Sequence, residues 1–488
     1  MNNKKRNIIV GLHTFFHDGS IFTIDTDTKE TRYLKFERIT GVKGQFHNDL
    51  TSWVKYLNHL GYMPEQVDTV WLANGSNMLI HGGVQNMYPA QYKLVDHHVC
   101  HQYSGNKLNS FVFDNVGSQY DCFTIYKRRQ QKYKLDIHKH PSLGRSLEVM
   151  WIYWFLKGKP SENQEEQFAG HTMALHGFGK DYSHLIGPQI INRTYEEFLE
   201  FRKNFKGEDE SQICNNYITS LHYYWYKKIK RHFKNYFSKK DFISFTGGVG
   251  HNIVLNTLLK KDYPNFTPVP HCGDEGTSIG ALLWALRTGW QVRNAKLDFK
   301  NMYQRDENFG YASKETIKKV AKYLKQGKIV MWGQGWGEIG PRALGFRSIL
   351  FDPCVENAKQ VINDRIKKRI WFRPYGASVP TEYYKDYFDL DFESPWMLYQ
   401  AKVKDPVKFK NITHVDGTCR IQTVSMDHNP PYLKLLKAFG ELSGYPVLIN
   451  TSMNLPGKPI VGTKKQAKIM FDNSQADVLV MGDEIYTK

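Results

Sequence analysis

The sequence predicts an α/β protein of more than one domain, with a duplicated architecture in its N-terminal half. Three observations predict this. Strand-like and helix-like runs alternate through the first three hundred residues. Two strand–turn–strand openings, in residues 8–24 and 111–126, each place Asp and Gly at a turn. A polar stretch over residues 291–310 then sets a further α/β region apart from the first. At 488 residues the chain exceeds one ordinary core, and two or three domains are expected.

Taken in order, residues 8–12 and 20–24 read as a hairpin joined across Thr14-Phe15-Phe16-His17-Asp18-Gly19. Phe111-Val112-Phe113-Asp114-Asn115-Val116-Gly117 reads as a short apolar strand ending in Asp and Gly, with Cys122-Phe123-Thr124-Ile125-Tyr126 returning beside it. Phe242-Ile243-Ser244-Phe245-Thr246 is a further strand running into Gly247-Gly248-Val249-Gly250, and residues 278–286 carry apolar side chains at helical spacing. From Ser313 a helix leads to a buried strand at Lys328-Ile329-Val330-Met331-Trp332.

Composition sets bounds on function. Hydrophobic residues make up 41% and charged residues 23%, as in a soluble globular protein. No run of about 18 apolar residues occurs, so no membrane span is expected. The basic start, Met1 to Arg6, precedes only Asn7-Ile8-Ile9-Val10-Gly11-Leu12, too short for a signal-peptide core and better read as the first strand. Six scattered cysteines without a C-x-x-C pair point to reduced thiols and a cytoplasmic location. A net charge of +18 favours polyanionic partners such as nucleic acid, nucleotides or an anionic surface.

The densest chemistry lies in Asp96-His97-His98-Val99-Cys100-His101. His97 and His101 are four apart, and one helical turn puts both imidazoles on one face. Asp274, in His271-Cys272-Gly273-Asp274-Glu275-Gly276, is a candidate third ligand. Two histidines and one carboxylate leave coordination positions open, which suits Fe(II) or another divalent ion. The turn Gly247-Gly248-Val249-Gly250-His251-Asn252 lets backbone N–H groups approach phosphate oxygens. Gly340-Pro341-Arg342-Ala343-Leu344-Gly345-Phe346-Arg347 offers two arginines suited to bidentate grip on phosphate or carboxylate. Lys367-Lys368-Arg369, Phe372-Arg373-Pro374, Thr418-Cys419-Arg420 and Asn450-Thr451-Ser452-Met453-Asn454 add cations and short polar side chains.

With these motifs in sequence the chain resembles the carbamoyltransferase family that includes tobramycin, cephamycin and nodulation-factor O-carbamoyltransferases. The resemblance covers nearly the whole chain and is strongest from Lys328 to Asp483. There GPRALGFRSIL, FRPYGASVP, ITHVDGTCRIQTV, NPPYLKLLKAFGELSGYPVLINTSMN and KPIVGT follow the family pattern. In the N-terminal half the matches are His17-Asp18, Glu37-Arg38, the HHxxH block, GGVGHN and Gly273-Asp274-x-Gly276.

The resemblance implies an actin/Hsp70-like duplicated domain over residues 1–300, a linker over 301–312 and a YrdC-like α/β domain over 313–488. It implies ATP, with Mg2+, and carbamoyl phosphate as co-substrates, carbamoyl-adenylate as intermediate, and transfer to a hydroxyl at a metal-bearing N-terminal domain. The metal ligands it implies are His97, His101 and Asp274. His13, His17 and Asp18 lie on the first turn and are expected to face the acceptor hydroxyl. Gly247, Gly248, Asn252 and Gly273 are the expected nucleotide contacts, and Arg342, Arg347, Lys367, Arg373, Arg420, Ser452 and Asn454 the expected phosphate contacts. Two departures fall in the acceptor domain: His171 where the family commonly has lysine, and His13 where Asn is frequent.

Some members of this family look dedicated to hydroxymethylated pyrimidines in phage-type DNA. Residues 222–237 interleave aromatics with cations, as do, less densely, Lys127-Arg128-Arg129 with Lys132 and Tyr133. Cations that track phosphates and rings that stack an extruded base would suit DNA, so 5-hydroxymethylcytosine or 5-hydroxymethyluracil in DNA is the expected acceptor. The alternatives are a small sugar or antibiotic hydroxyl, or a nucleic-acid-binding protein without catalysis. The plain reading of residues 222–237 is an amphipathic helix with Trp225, Ile229 and Phe233 inward and a solvated basic back.

Overall fold

The computed structural model describes residues 6–14, 17–47, 52–74, 91–115, 121–136, 142–154, 156, 168–187, 194–287 and 303–488. The chain divides into two compact units, one of Met1–Thr31 with Phe46–Ala295 and one of Arg32–Gln45 with Lys296–Lys488. The first ten strands are β1 (Ile8–His13), β2 (Ser20–Asp25), β3 (Thr31–Lys35), β4 (Val67–Asn74), β5 (Gln91–Asp96), β6 (Asn109–Phe113), β7 (Asp121–Lys127), β8 (Gln130–Asp136), β9 (Ile243–Thr246) and β10 (Phe266–Pro268).

Both expected hairpins form in the first unit. β1 runs antiparallel to β2, with Ile8 opposite Asp25 and His13 opposite Ser20, and parallel to β4, which is parallel to β5. β6 runs antiparallel to β7 and parallel to β9, which is parallel to β10. The orders β2-β1-β4-β5 and β7-β6-β9-β10 are the same, strand direction for strand direction. The duplication suggested by the two Asp/Gly turns is therefore a duplicated sheet. Val116 and Gly117, placed at the end of the β6 reading, and Phe15 and Phe16 lie outside the described residues.

Each repeat closes on a helix that matters for the site. His97–Ser104 begins directly after β5, and Thr277–Arg287 follows β10 across a short turn. The two touch backbone to backbone: a Cβ on Gly280 would lie 1.7 Å from the Cys100 carbonyl oxygen. Only glycine permits that approach. The helix Glu210–Tyr236 buries Trp225, Ile229 and Phe233, with Phe113 against Trp225 at 4.9 Å and Phe111 against Phe233 at 5.2 Å. The amphipathic reading of that stretch is the one its packing shows.

The second unit continues with β11 (Tyr303–Gln304), β12 (Val330–Gly333), β13 (Gly337–Glu338), β14 (Arg347–Phe351), β15 (Gly376–Pro380), β16 (Phe388–Asp389), β17 (Tyr399–Val403), β18 (Thr418–Val424), β19 (Leu448–Ser452), β20 (Val478–Met481) and β21 (Glu484–Thr487). Nine of these form one mixed sheet in the order β16-β17-β18-β15-β19-β14-β12-β20-β21. The helix expected from Ser313 is Lys314–Lys325, and the Ser313 side chain caps it by accepting the Thr316 N–H.

Two expected boundaries change. The described part of the 301–312 stretch is no linker: Gln304 in β11 pairs beside Tyr33 of β3, and Phe309 is buried in the core of this unit. Its polar residues misled because Gln304 and Asp306 are themselves buried and hydrogen-bonded. Residues 32–45 also leave the first domain for the second unit. Lys35 N–H donates to the Gln304 side chain at 2.8 Å, and the Lys35 ammonium pairs with Glu37 at 3.0 Å. Among the described residues no helix is long and apolar enough to cross a membrane.

Candidate metal centre and anion site

In the first unit four side chains converge: His97, His101, Asp114 and Asp274, with one ligand atom from each lying within 4.8 Å of all the others. Asp96 starts the helix by accepting the Val99 N–H at 3.0 Å, so His97 and His101 share one face one turn apart. Their Nε2 atoms stand 3.2 Å apart. Asp114 Oδ2 lies 3.1 Å from His97 Nε2 and 3.0 Å from His101 Nε2, and Asp274 Oδ1 lies 3.5 Å from each. Two imidazole nitrogens at that separation are spaced as neighbouring ligands of one ion with bonds of about 2.1 Å. Two buried carboxylates facing neutral imidazoles carry the charge that a divalent cation balances. The donor set fits such an ion.

The electrostatics agree. Burial pushes the His97 imidazole down, but Asp274 and Asp114 override it and raise it to about 10; His101 is raised in the same way. Burial and the neighbouring Asp274 push the Asp114 carboxyl up, yet the two imidazoles hold it below the usual carboxylate range. Asp274 is likewise held well below that range against its burial, first by His97 and then by His17. In the absence of an ion the imidazoles keep protons to answer the carboxylates. His98 points elsewhere, with Nδ1 2.7 Å from the Thr124 hydroxyl, and burial lowers it to about 3.

Asp114 is the ligand that sequence reasoning missed. It sits one residue past β6, and its Oδ1 accepts N–H groups from Asn115 at 2.8 Å and Gly248 at 3.1 Å, which turns Oδ2 toward the histidines. The signal was present in the strand ending in Asp and Gly. This geometry also corrects the reading of the glycine turn as a phosphate cradle. Gly248 N–H serves Asp114, Gly247 N–H donates to the Cys272 carbonyl, Gly250 N–H to the Gly247 carbonyl and Asn252 N–H to the Val249 carbonyl. With those four donors used inside the protein, they are not aimed at a nucleotide. Gly247 has φ +90°, and a Cβ there would lie 2.3 Å from the Phe113 carbonyl oxygen. Asn252 caps the helix Ile253–Asp262, and Gly273 precedes the ligand Asp274. Of these expected nucleotide contacts, Gly248 holds the ligand Asp114 and Gly273 adjoins the ligand Asp274.

The first-turn residues stand beside it. His13 is buried, its Nε2 3.0 Å from the His17 carbonyl and 3.8 Å from Asp274 Oδ2, and burial lowers it to about 4 despite Asp274. His17 has a side chain 59% exposed, with Nδ1 2.9 Å from Asp18 and Nε2 3.6 Å from Asp274. Asp274 first, and Asp18 after it, raise the His17 imidazole to about 10 against partial burial. Asp18 holds φ +57°, a left-handed conformation unusual for a non-glycine residue.

The second unit gathers cations. Lys367 ends a π-helical turn, Asn363–Lys367, and its buried ammonium donates to the carbonyls of Ser452 and Asn454, each at 2.9 Å, and to Asn454 Oδ1 at 2.7 Å. Burial pushes that ammonium well below its usual range, with Arg369 and Arg373 pushing the same way. Arg420, on β18 opposite Gly376 of β15, is lowered by burial and then by Arg342, Arg369 and Arg373. Arg369 donates to the Thr451 hydroxyl at 2.9 Å. Four arginines thus share one neighbourhood with Lys367, whose own N–H bonds are spent on Ser452 and Asn454. Such a cluster asks for an anion from outside the chain. Arg369 belongs to it although it was not singled out, while Arg342, Lys367, Arg373, Arg420, Ser452 and Asn454 were.

Arg347 does not belong to it. Fully buried, it donates to the carbonyls of Gln334, Phe346, Glu307 and Gly335, pairs with Asp306 at 3.4 Å and lies 3.6 Å from the Phe309 ring centre. Its terminal nitrogens are engaged by the chain itself, so it is a structural arginine and not a phosphate ligand. The basic helix also changes meaning. Trp225 and Phe233 lie in the core and are not available to stack a base, and Lys230 pairs with Asp262 at 2.8 Å.

Residues 321–488 match the family model described as "Carbamoyltransferase C-terminus". Nodulation protein NolO of Bradyrhizobium diazoefficiens is 32% identical over 269 residues, covering 50% of this chain and 49% of that protein. A 3'-hydroxymethylcephem-O-carbamoyltransferase of Amycolatopsis lactamdurans is 31% identical over 252 residues, covering 50% of this chain and 48% of that protein. The chain spans about half the length of these relatives. Among solved structures, the activator of 2-hydroxyisocaproyl-CoA dehydratase from Clostridium difficile aligns with 60% of this chain and 98% of its own at 14% identity and a TM-score of 0.37.

Proposed function

We propose that this chain, whose residues 321–488 match the carbamoyltransferase family model, activates a carbamoyl group with ATP and passes it to a hydroxyl. The observation that carries this reading is the gathering of Arg342, Arg369, Arg373 and Arg420 beside Lys367, Ser452 and Asn454. Carbamoyl phosphate and the ATP phosphates, with Mg2+, are anions of the kind such a cluster takes. Water cleaves carbamoyl phosphate to carbamate and inorganic phosphate; carbamate is a poor electrophile, and attack of its oxygen on the α-phosphorus of ATP joins it to AMP with loss of pyrophosphate, which supplies a leaving group. We read the duplicated sheet as actin/Hsp70-like and the second unit as YrdC-like; the repeated strand order supports the first of these.

Transfer forms a bond from the acceptor oxygen to the carbamoyl carbon, releases AMP and sends the hydroxyl proton to a base. His17 is suited to that role once a cation balances Asp274, whose charge otherwise keeps the imidazole protonated: Asp18 holds its Nδ1, leaving Nε2 to take a proton. His13 stands behind it, fixed by the His17 carbonyl. A divalent ion, Fe(II) or another, would be held by His97, His101, Asp114 and Asp274 and would supply a Lewis acid beside this pair.

We read the acceptor as a small-molecule hydroxyl. A second acceptor, 5-hydroxymethylpyrimidine in DNA, is favoured by one observation: residues 227–240 hold six lysines and one arginine and no acidic residue. Incubation with ATP and carbamoyl phosphate, followed by pyrophosphate assay and mass spectrometry of sugars, antibiotics and hydroxymethylated DNA, tests both. Carbamoyl-phosphate-dependent pyrophosphate release supports the activation step, and its absence defeats the function. A carbamoyl mass on the hydroxymethylated duplex alone would reject the small-molecule acceptor.

A further inference from the structure

Glu37-Arg38 is a motif that neither the metal centre nor the anion cluster has absorbed. It lies on residues 32–45, the segment that the second unit takes from early in the chain. That segment is firmly tied there: Arg305 N–H donates to the Tyr33 carbonyl, Lys35 N–H to Gln304, and the Gln466 side chain to the Ile39 carbonyl at 3.2 Å. Glu37 accepts the Gly44 N–H at 2.9 Å and pairs with Lys35. Arg38 is 1% exposed, and its Nη2 donates to the carbonyls of Glu338 and Gly340, each at 3.2 Å.

Those carbonyls open the turn that carries Arg342. Between β13 and β14 the chain leaves regular structure, and Gly340 has φ +84°. Side chains therefore decide its course. On the far side of Arg342 the Asn450 amide donates to the Ala343 carbonyl at 3.2 Å, and Gln422 and Asn429 donate to the Leu344 carbonyl at 3.0 and 3.1 Å. The Glu338 carboxylate accepts the Leu344 N–H at 2.8 Å, closing the turn on itself. On the near side Arg38 makes two side-chain clamps, next to the Asp306 carboxylate on the Gly337 N–H and the pairing of Glu338 with Tyr303. Arg342 stands between the two sets, and its charge acts on Arg420. A guanidinium misplaced by an ångström loses bidentate grip on a phosphate, so the turn must be fixed from both sides.

We propose that Arg38 is a positioning residue of the anion site: by clamping the Glu338 and Gly340 carbonyls it sets the turn that presents Arg342 to the anion. The function assigned to that anion rests on the carbamoyltransferase reading above; the positioning itself is a statement about anion binding. A lysine at this place can reach one carbonyl and keeps the buried charge, whereas alanine removes both clamps.

The full chain and its Arg38→Lys, Arg38→Ala, Arg342→Ala and Arg38→Ala/Arg342→Ala variants are compared for binding of inorganic pyrophosphate by calorimetry and for carbamoyl-phosphate-dependent pyrophosphate release. The expected result is pyrophosphate affinity weakened about 10-fold or more by Arg38→Ala and partly restored by Arg38→Lys, with KM for carbamoyl phosphate raised more than kcat falls. In the Arg342→Ala background, Arg38→Ala should add less than about 2-fold, because the two act as one device. Metal content in the first unit should be unchanged. Folded variants with wild-type pyrophosphate affinity, or effects that multiply with those of Arg342→Ala, overturn the proposal. So does loss of folding in both Arg38 variants, which would make the residue purely structural. If wild type binds pyrophosphate but releases none from ATP, the proposed function fails while this inference is still decided by the binding series.

Discussion

Replacing Asp114 by Asn tests whether the centre has four protein ligands or the three that the sequence suggests. The carboxylate faces two ways: Oδ1 accepts two backbone N–H groups, and Oδ2 lies within 3.1 Å of both imidazoles. An asparagine can place its carbonyl oxygen where Oδ1 was and keep those two hydrogen bonds, so the turn should survive. Its NH2 group then replaces Oδ2, and a donor without a lone pair cannot ligate a cation. Outer partners of metal ligands are worth about 10–100-fold in affinity, so a direct carboxylate ligand should cost at least about 100-fold, or about 2.7 kcal/mol at 1.36 kcal/mol per decade. Chelator-stripped protein titrated with Mn2+, Fe2+ or Zn2+ against a competing indicator gives the affinity, and circular dichroism checks the fold. Wild-type affinity in a folded Asp114→Asn protein, with binding abolished by His97→Ala, would show that two histidines and Asp274 suffice.

Other outcomes follow from the same contacts. The His97 imidazole is raised from 6.5 to about 10 in the folded protein, so its charge stabilises the metal-free fold fully below pH 6.5 and this contribution is lost as pH rises through 10. The metal-free unfolding temperature should therefore fall between pH 7 and pH 10 while that of the loaded protein holds; a metal-free value that stays level or rises contradicts the raised imidazole. Metal binding at pH 7.5 should release protons, read as a dependence of calorimetric heat on buffer ionisation enthalpy. Arg347→Met removes the guanidinium that pairs with the buried Asp306 carboxylate and should cost about 3–5 kcal/mol by denaturant unfolding. A variant of unchanged stability that has lost pyrophosphate binding would return Arg347 to the anion site. Gly280→Ala drives a methyl into the Cys100 carbonyl and should cost at least about 1–3 kcal/mol and weaken metal binding, because the helix that yields carries His97 and His101.

How far the sequence carried the structure depended on whether the physics was local. The hairpins, the helix bearing both histidines and the capped helix after Ser313 were all readable, because periodicity, turn residues and caps act within a few positions. Arg347 was misread because a buried structural arginine and a phosphate-binding one look alike until their acceptors are known, and those acceptors include carbonyls at Glu307 and Gln334, distant in sequence. The polar stretch over 301–312 failed for the same reason: Asp306 is a polar residue whose partners are Arg347 and the Gly337 N–H. Residues 32–45 carry no local mark of joining the second unit.

Asp114, by contrast, was within reach, and the reason bears on how the centre is made. In the first repeat β1 ends at His13, and the helix after β5 begins with His97. In the second, β6 ends one residue before Asp114, and Asp274 lies just ahead of the helix that follows β10. The ligands thus come from two corresponding places in the two repeats: the end of the first strand and the start of the last helix. By strand order the end of β1 corresponds to the end of β6, so His13 corresponds to the Phe113–Asp114 step. One repeat offers an aspartate there as ligand; the other offers an imidazole that burial keeps neutral beside Asp274. A duplicated sheet brings equivalent ends together by its symmetry, so each copy need supply only part of the site. The copies can then diverge, one toward holding an ion and the other toward meeting a substrate.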